Sequence, residues 1–293
     1  MVLSPSEIDS YQSEGFLIVE GVLDPERLAQ FRESINRLVA EAARLSQSNE
    51  RFDIEVNHKP GAPRVERIKT PHKFYPEFWG FARDPALLGI LEPLIGPNIR
   101  LYDSKLNLKP PGGGAPVEWH QDWAFYPHTN QDMLAAGVYF DDSSAENGTL
   151  LVIPGSHRGP LYEHHIDGVF AGAIDRRRCD VDFSAAVPLT AKAGSVSVHH
   201  TRLIHGSGPN RSRKPRWLLL MEFTAADAWP LMGLPEDLDE FDARIVAGVP
   251  TLSPRMEAVP VRIPLPEVSG PQRETVYQYH RALRDQYFDW STS

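Results

Sequence analysis

A single cysteine, Cys179, stands in a chain of 293 residues. It has no partner for an internal disulfide, which argues against a disulfide-stapled secreted scaffold and suits a reducing compartment. Long apolar runs are also missing. No stretch approaches the roughly 18 consecutive apolar residues of a membrane helix. Positive charge is in the minority, since 30 Lys and Arg against 39 Asp and Glu give 30 − 39 = −9. That balance disfavours a nucleic-acid partner or an anionic membrane surface. There is no internal repeat, and Met1 to Ser10 lacks the basic start and apolar run of a secretory signal. A cytoplasmic protein that engages neither membrane nor nucleic acid is therefore expected.

What is present fits an ordinary globular enzyme, with 41% hydrophobic and 24% charged residues and enough length to bury a full core. Ser4-Pro5-Ser6-Glu7 reads as a capping box with proline at the first helical position, and Gly15 as the stop. Phe16 to Val19 reads as a buried strand. Asp24-Pro25 opens a helix to about Leu45, with Leu28, Phe31, Ile35, Leu38, Val39, Ala42 and Leu45 on one face. A further helical stretch is expected from about Pro76 to Ile95. From Ile99 the texture changes to short β-type runs: Ile99 to Leu108, Gly137 to Phe140, Thr149 to Ile153, Ser195 to His200 and Arg216 to Thr224. Gly- and Asn-rich turns, among them Glu146-Asn147-Gly148, punctuate them. The pattern predicts a mainly β protein, a double-sheet jelly roll with flanking α-helices. Leu234 to Pro266 reads as a covering loop and Gln272 to Tyr287 as a closing helix.

Two motifs carry chemistry. In His120-Gln121-Asp122, side chains two apart on an extended strand point the same way. Two histidines and a carboxylate can occupy one face of an octahedral iron(II) ion and leave three adjacent positions open for a cosubstrate and dioxygen. The third ligand must come from elsewhere. His205, in His205-Gly206-Ser207, is the candidate, and His199 and His200 compete with it. Arg216 leads into an apolar strand, where an unpaired cation is costly, so it calls for a bound carboxylate.

Together with the Gly15-Phe16 opening, Trp123, Glu146-Asn147-Gly148 and Pro154-Gly155-Ser156-His157, these motifs resemble the phytanoyl-CoA dioxygenase family of iron(II)/2-oxoglutarate oxygenases. The resemblance runs to about Thr224. It implies a double-stranded β-helix, cupin-like core at about 99–225, a helical flank at about 1–98 and a covering segment at about 226–293, all in one domain. It implies that His120, Asp122 and His205 bind iron(II), and that Arg216 and Ser207 hold 2-oxoglutarate, with Asn107 in contact and dioxygen as co-reactant. Lys105, two residues before Asn107 on the same strand face, matches more loosely as a cosubstrate or substrate-pocket residue, and either Arg67 or Lys69 matches an upstream basic residue that touches the cosubstrate in some members. Val138 stands where some members carry a tryptophan that lines the pocket.

The expected reaction is hydroxylation of a C–H bond with release of succinate and carbon dioxide. Asp122, absent from related halogenases, argues against halogenation. The aromatic run Trp123, Phe125, Tyr126 and His128 is a candidate substrate wall and suits a small, moderately apolar molecule. Competing readings are a zinc hydrolase built on the same three ligands and a non-catalytic iron or 2-oxoglutarate binder. The first leaves Arg216 without a role.

Overall fold

The computed structural model describes residues 2–234, 237–266 and 276–291. Helix α1 (Pro5–Glu14) starts as its sequence dictates: Ser4 Oγ accepts from the Glu7 amide, and the Glu7 carboxylate accepts from the Ser4 amide. Gly15, at φ 82°, ends it in the left-handed region that glycine adopts freely. Strand β1 (Phe16–Val19) and helix α2 (Pro25–Ala42) follow, the helix stopping a turn short of Leu45. Strands β2 (Phe52–Ile54) and β3 (Val65–Lys69) come next and were not anticipated. The expected single helix over 76–95 is two, α4 (Pro76–Ala82) and α5 (Pro85–Ile95), preceded by the short α3 (Pro71–Phe74). The break has a local cause. Asp84 precedes a proline, which pushes it to an extended ψ of 128° where it caps α5.

The core strands are β4 (Ile99–Lys109), β5 (Val117–His120), β6 (Met133–Tyr139), β7 (Leu151–Val152), β8 (His165–Ile166), β9 (Val169–Phe170), β10 (Val187–Pro188), β11 (Val196–His200), β12 (His205–Ser207) and β13 (Arg216–Ala225). The covering segment contains helix α6 (Leu238–Asp242) and strand β14 (Ile245–Ala247), and the closing helix α7 is Val276–Arg281. Residues 272–275 of the expected closing helix lie outside the described residues. The chain turns away after Arg281 because the Tyr287 and Phe288 amides and the Trp290 indole all donate to Glu118. No described helix is long and apolar enough to cross a membrane.

Two antiparallel sheets face each other, one ordered β1-β11-β6-β13-β4-β3-β2 with β14 on β4, the other β10-β7-β12-β5. This is the expected jelly roll. Strand alternation sorts its residues. Leu106, Leu108, Leu219, Met221 and Phe223 pack outward onto Phe31, Ile35, Phe78, Phe81 and Ile90 of the helices. Lys105, Asn107, Arg216, Leu218, Leu220 and Glu222 point inward and line a cavity of about 280 Å³. Val138 belongs to the outward set, so its difference from tryptophan does not reach the cavity.

Candidate active site

His120 closes β5 and His205 opens β12, and the two are register partners across the small sheet. Asp122 is not on a strand, as the i, i+2 argument assumed, but begins a 3-10 turn. Gln121 keeps an extended backbone (φ −119°, ψ 123°), which aims Asp122 to the same side as His120. One ligand atom from each of the three residues lies within 4.8 Å of the others, and all three are buried. Each histidine ring is oriented by its own chain: Nδ1 of His120 donates to the Glu118 carbonyl at 2.8 Å and Nδ1 of His205 to the Leu203 carbonyl at 3.0 Å. Both Nε2 lone pairs are thereby left facing Asp122, at 3.5 and 3.9 Å. Burial raises the Asp122 carboxyl, but His205, Lys105, His120 and His199 outweigh it and hold the group well below the usual carboxylate range. Burial depresses His205 in turn, favouring the neutral ring that a metal needs. Two imidazoles with Nε2 turned toward one carboxylate in a buried cavity are a donor set that fits iron(II).

The surroundings brace these ligands. Gln121, fully buried, donates to the Pro160 and Arg202 carbonyls, accepts from the Tyr162 amide, and its own amide donates to His164 Nε2. Ser156, in the Pro-Gly-Ser-His turn, accepts from the Ile204 amide and fixes the approach to His205. Of the competing histidines, His199 faces the site, with Nε2 3.5 Å from Asp122, while His200 turns away to stack near His157 at 5.3 Å.

The same cavity is lined by Arg216, 2% exposed. Its Nη2 donates to the Gly148 carbonyl at 3.0 Å, and its Nε and Nη1 have no hydrogen-bond partner. Gly148 is required in that turn, because its φ is 75° and a Cβ would meet the Gly208 carbonyl at 2.6 Å. Beside it the Lys109 ammonium donates to Ser207 Oγ at 2.8 Å and to the carbonyls of Ser207 and Gly208. Burial, then the nearby Arg216, push Lys109 well below the usual ammonium range. Ser207 and Asn107 also line the cavity, and Asn107 Oδ1 is buried without a partner.

The other expected positions divide. Lys105 and Lys69 line the cavity, but each ammonium is paired, Lys105 with Glu222 at 2.9 Å and Lys69 with Asp53 at 3.1 Å. Arg67 shares Asp53 at 2.9 Å. Phe125 and Tyr126 form part of the wall. Trp123 and His128 do not. The Trp123 indole donates outward to the Pro260 carbonyl, and His128 is buried with Nδ1 donating to the Tyr126 carbonyl and its ring 4.9 Å from Tyr102. Turning into the 3-10 helix after Asp122 ends the strand alternation on which that run was read.

Several lining residues were not foreseen: Asp103, Glu222, Thr70, Phe170, Tyr277 and Tyr279. Glu222 had a signal, a charge within an apolar strand at an even spacing from Arg216. Asp103, Lys105, Asn107 and Lys109 likewise repeat polar side chains on one face of β4. Tyr277 and Tyr279 arrive from the far end of the chain with no local signal.

The family profile of phytanoyl-CoA dioxygenase (PhyH) matches residues 11–217. The probable alpha-ketoglutarate-dependent hypophosphite dioxygenase of Stutzerimonas stutzeri is 36% identical over 282 residues, covering 95% of this chain and 97% of that protein. Human peroxisomal phytanoyl-CoA dioxygenase is 26% identical over 239 residues, covering 77% and 70%. Among solved structures, EvdO2 from Micromonospora carbonacea var. aurantiaca complexed with 2-oxoglutarate superposes with a TM-score of 0.59 at 26% identity, covering 82% of this chain and 97% of that one. EctD from S. alaskensis with 2-oxoglutarate and 5-hydroxyectoine shares the fold, with a TM-score of 0.64 at 22% identity and coverage of 91% and 89%. The chain belongs to the phytanoyl-CoA dioxygenase family and is an iron(II)- and 2-oxoglutarate-dependent dioxygenase.

Proposed function

We propose that His120, Asp122 and His205 hold the iron(II) and that Arg216, Ser207 and Asn107 hold 2-oxoglutarate. The observation that carries this is the pairing of a three-ligand cluster with a buried arginine whose Nε and Nη1 have no protein partner. A guanidinium in that condition is stabilised by a bidentate carboxylate. The zinc hydrolase reading supplies none. When bound, iron(II) with 2-oxoglutarate and dioxygen supplies an oxidative decarboxylation that places one oxygen atom in succinate and the other on a substrate hydrogen-bearing centre.

The chain's own contributions are positional. The carbonyls of Glu118 and Leu203 fix the ligand rings, Arg216 draws the distal carboxylate, and Phe125, Tyr126 and Phe170 shield the cavity from water. Lys105 and Lys69, already matched by Glu222 and Asp53, are assigned to the substrate side rather than to the cosubstrate. The substrate is a small molecule, because about 280 Å³ must also accommodate 2-oxoglutarate. The aromatic wall suits an apolar portion, and the charged residues beside it require a polar one. We read the chain as one oxygenase domain, since strands of the first flank and the closing helix both line this cavity.

The test is an anaerobic visible spectrum after adding iron(II) and then 2-oxoglutarate. A weak charge-transfer band is expected, absent in His205→Ala and needing at least about tenfold more 2-oxoglutarate in Arg216→Ala, the equivalent of about 1.4 kcal/mol. An unchanged titration in Arg216→Ala refutes the cosubstrate assignment, and a normal band in His205→Ala refutes the ligand assignment.

A further inference from the structure

Beyond the iron and cosubstrate positions, the inner face of the large sheet carries a charge pattern that the reaction as described leaves unused. Register places Lys69 of β3 opposite Lys105 of β4, and Asp103 of β4 opposite Glu222 of β13. Both pairs line the cavity. Like charges facing each other across strands destabilise a sheet. Two ion pairs relieve this in part, Lys105–Glu222 at 2.9 Å and Lys69–Asp53 at 3.1 Å. The relief is incomplete, because Arg67 competes for Asp53 at 2.9 Å. Glu222 is 2% exposed, and its Oε2 has no hydrogen-bond partner. Buried polar atoms are rarely left this way without a ligand or ordered water to meet them.

We infer that this corner recognises the substrate, and that the substrate is a small zwitterion. Its ammonium or protonated nitrogen donates to Glu222 Oε2 beside Asp103, and its anionic group, a carboxylate or a phosphorus oxyanion, lies between Lys69 and Lys105. An anion alone leaves Glu222 Oε2 without a donor and adds negative charge beside two carboxylates. A cation alone leaves the two lysines opposed. Same-face neighbours on β4 such as Asp103 and Lys105 sit about 7 Å apart, so the two substrate charges are separated by a few bonds. The inference rests on the dioxygenase reading and adds no new electron flow. The substrate X–H, 2-oxoglutarate and O2 give X–OH, succinate and CO2, while Lys69, Lys105 and Glu222 only bind.

The experiment uses the full chain loaded anaerobically with iron(II) and 2-oxoglutarate. Probes are α- and ω-amino acids and aminoalkylphosphonates, matched with simple carboxylates, alkylphosphonates, amines and hypophosphite. Binding is read from the change each probe makes in the charge-transfer band, and turnover from succinate release after adding oxygen. We expect a zwitterion to bind at least about tenfold more tightly than either single-charge counterpart. Glu222→Gln and Lys69→Met should each weaken it by at least about tenfold, with the iron and 2-oxoglutarate titrations unchanged. The carboxylate and phosphonate members distinguish the two sources of the anion. Hypophosphite or a simple carboxylate binding as well as every zwitterion overturns the inference, as does a panel in which no zwitterion binds while the 2-oxoglutarate band is normal. Loss of that band in the unsubstituted protein would instead refute the dioxygenase reading itself.

Discussion

Lys109 is the residue whose position says most about how a single side chain can orient another. Its ammonium spends its donors on Ser207 Oγ and the carbonyls of Ser207 and Gly208. Ser207 Oγ is thus an acceptor toward Lys109, and its own proton is free to point into the cavity, where Arg216 also presents N–H groups. If Ser207 holds 2-oxoglutarate as proposed, Lys109 positions it through this bond. Lys109→Met should weaken the 2-oxoglutarate titration by about tenfold, near the worth of one charge-assisted hydrogen bond. Ser207→Ala should cost a similar amount, and the double variant little more than either, which a double-mutant cycle on the charge-transfer band measures. Additive losses would mean that the two act independently.

Strand β3 and helix α7 are tied by one ion pair, Arg281 with Glu66. Burial pushes the Glu66 carboxyl up to about 7 against the opposing pull of Arg281. A carboxyl whose folded value lies above its usual 4.5 binds its proton more tightly in the native state. Its contribution is therefore most favourable below about pH 4.5 and declines as pH rises to about 7, by up to about 3 kcal/mol. Glu66→Gln should remove that decline. Denaturant unfolding of both proteins between pH 5 and pH 8 measures it, and parallel pH profiles would show that Glu66 ionises normally. The element scale is also where the sequence was most readable and where it misled. The capping box at Ser4 and the alternation in β4 and β13 follow from local rules and are seen. The Asp84-Pro85 break is masked by the apolar stretch around it, and β2 and β3 carry too many charges to read as strands, because those charges face a polar cavity or each other.

Across the molecule, the second sheet and the C-terminal residues meet at Glu118. Its carboxylate accepts from Tyr287, Phe288 and Trp290, while its amide donates to His280 Nδ1. Glu118→Ala should release residues 287–290 and weaken substrate binding more than 2-oxoglutarate binding, since Tyr277 and Tyr279 line the cavity just upstream. The net loss should be about 2 to 4 kcal/mol of stability, with faster amide exchange confined first to the C-terminal segment. Unchanged exchange there would show that α7 docks without this anchor. The clustering of His120, Asp122 and His205 and the burial of Arg216 follow from two short motifs whose spacing and chemistry are visible in the sequence. Glu222, Lys109 and the two tyrosines are not legible there, since their roles depend on strands and helices far apart in sequence coming together. That arrangement also sets a timetable for the newborn chain. Every proposed iron ligand has been synthesised by residue 205, yet the pocket's wall waits for Tyr277 and Tyr279. A nascent chain can thus carry the full proposed ligand set while still lacking part of its substrate chamber.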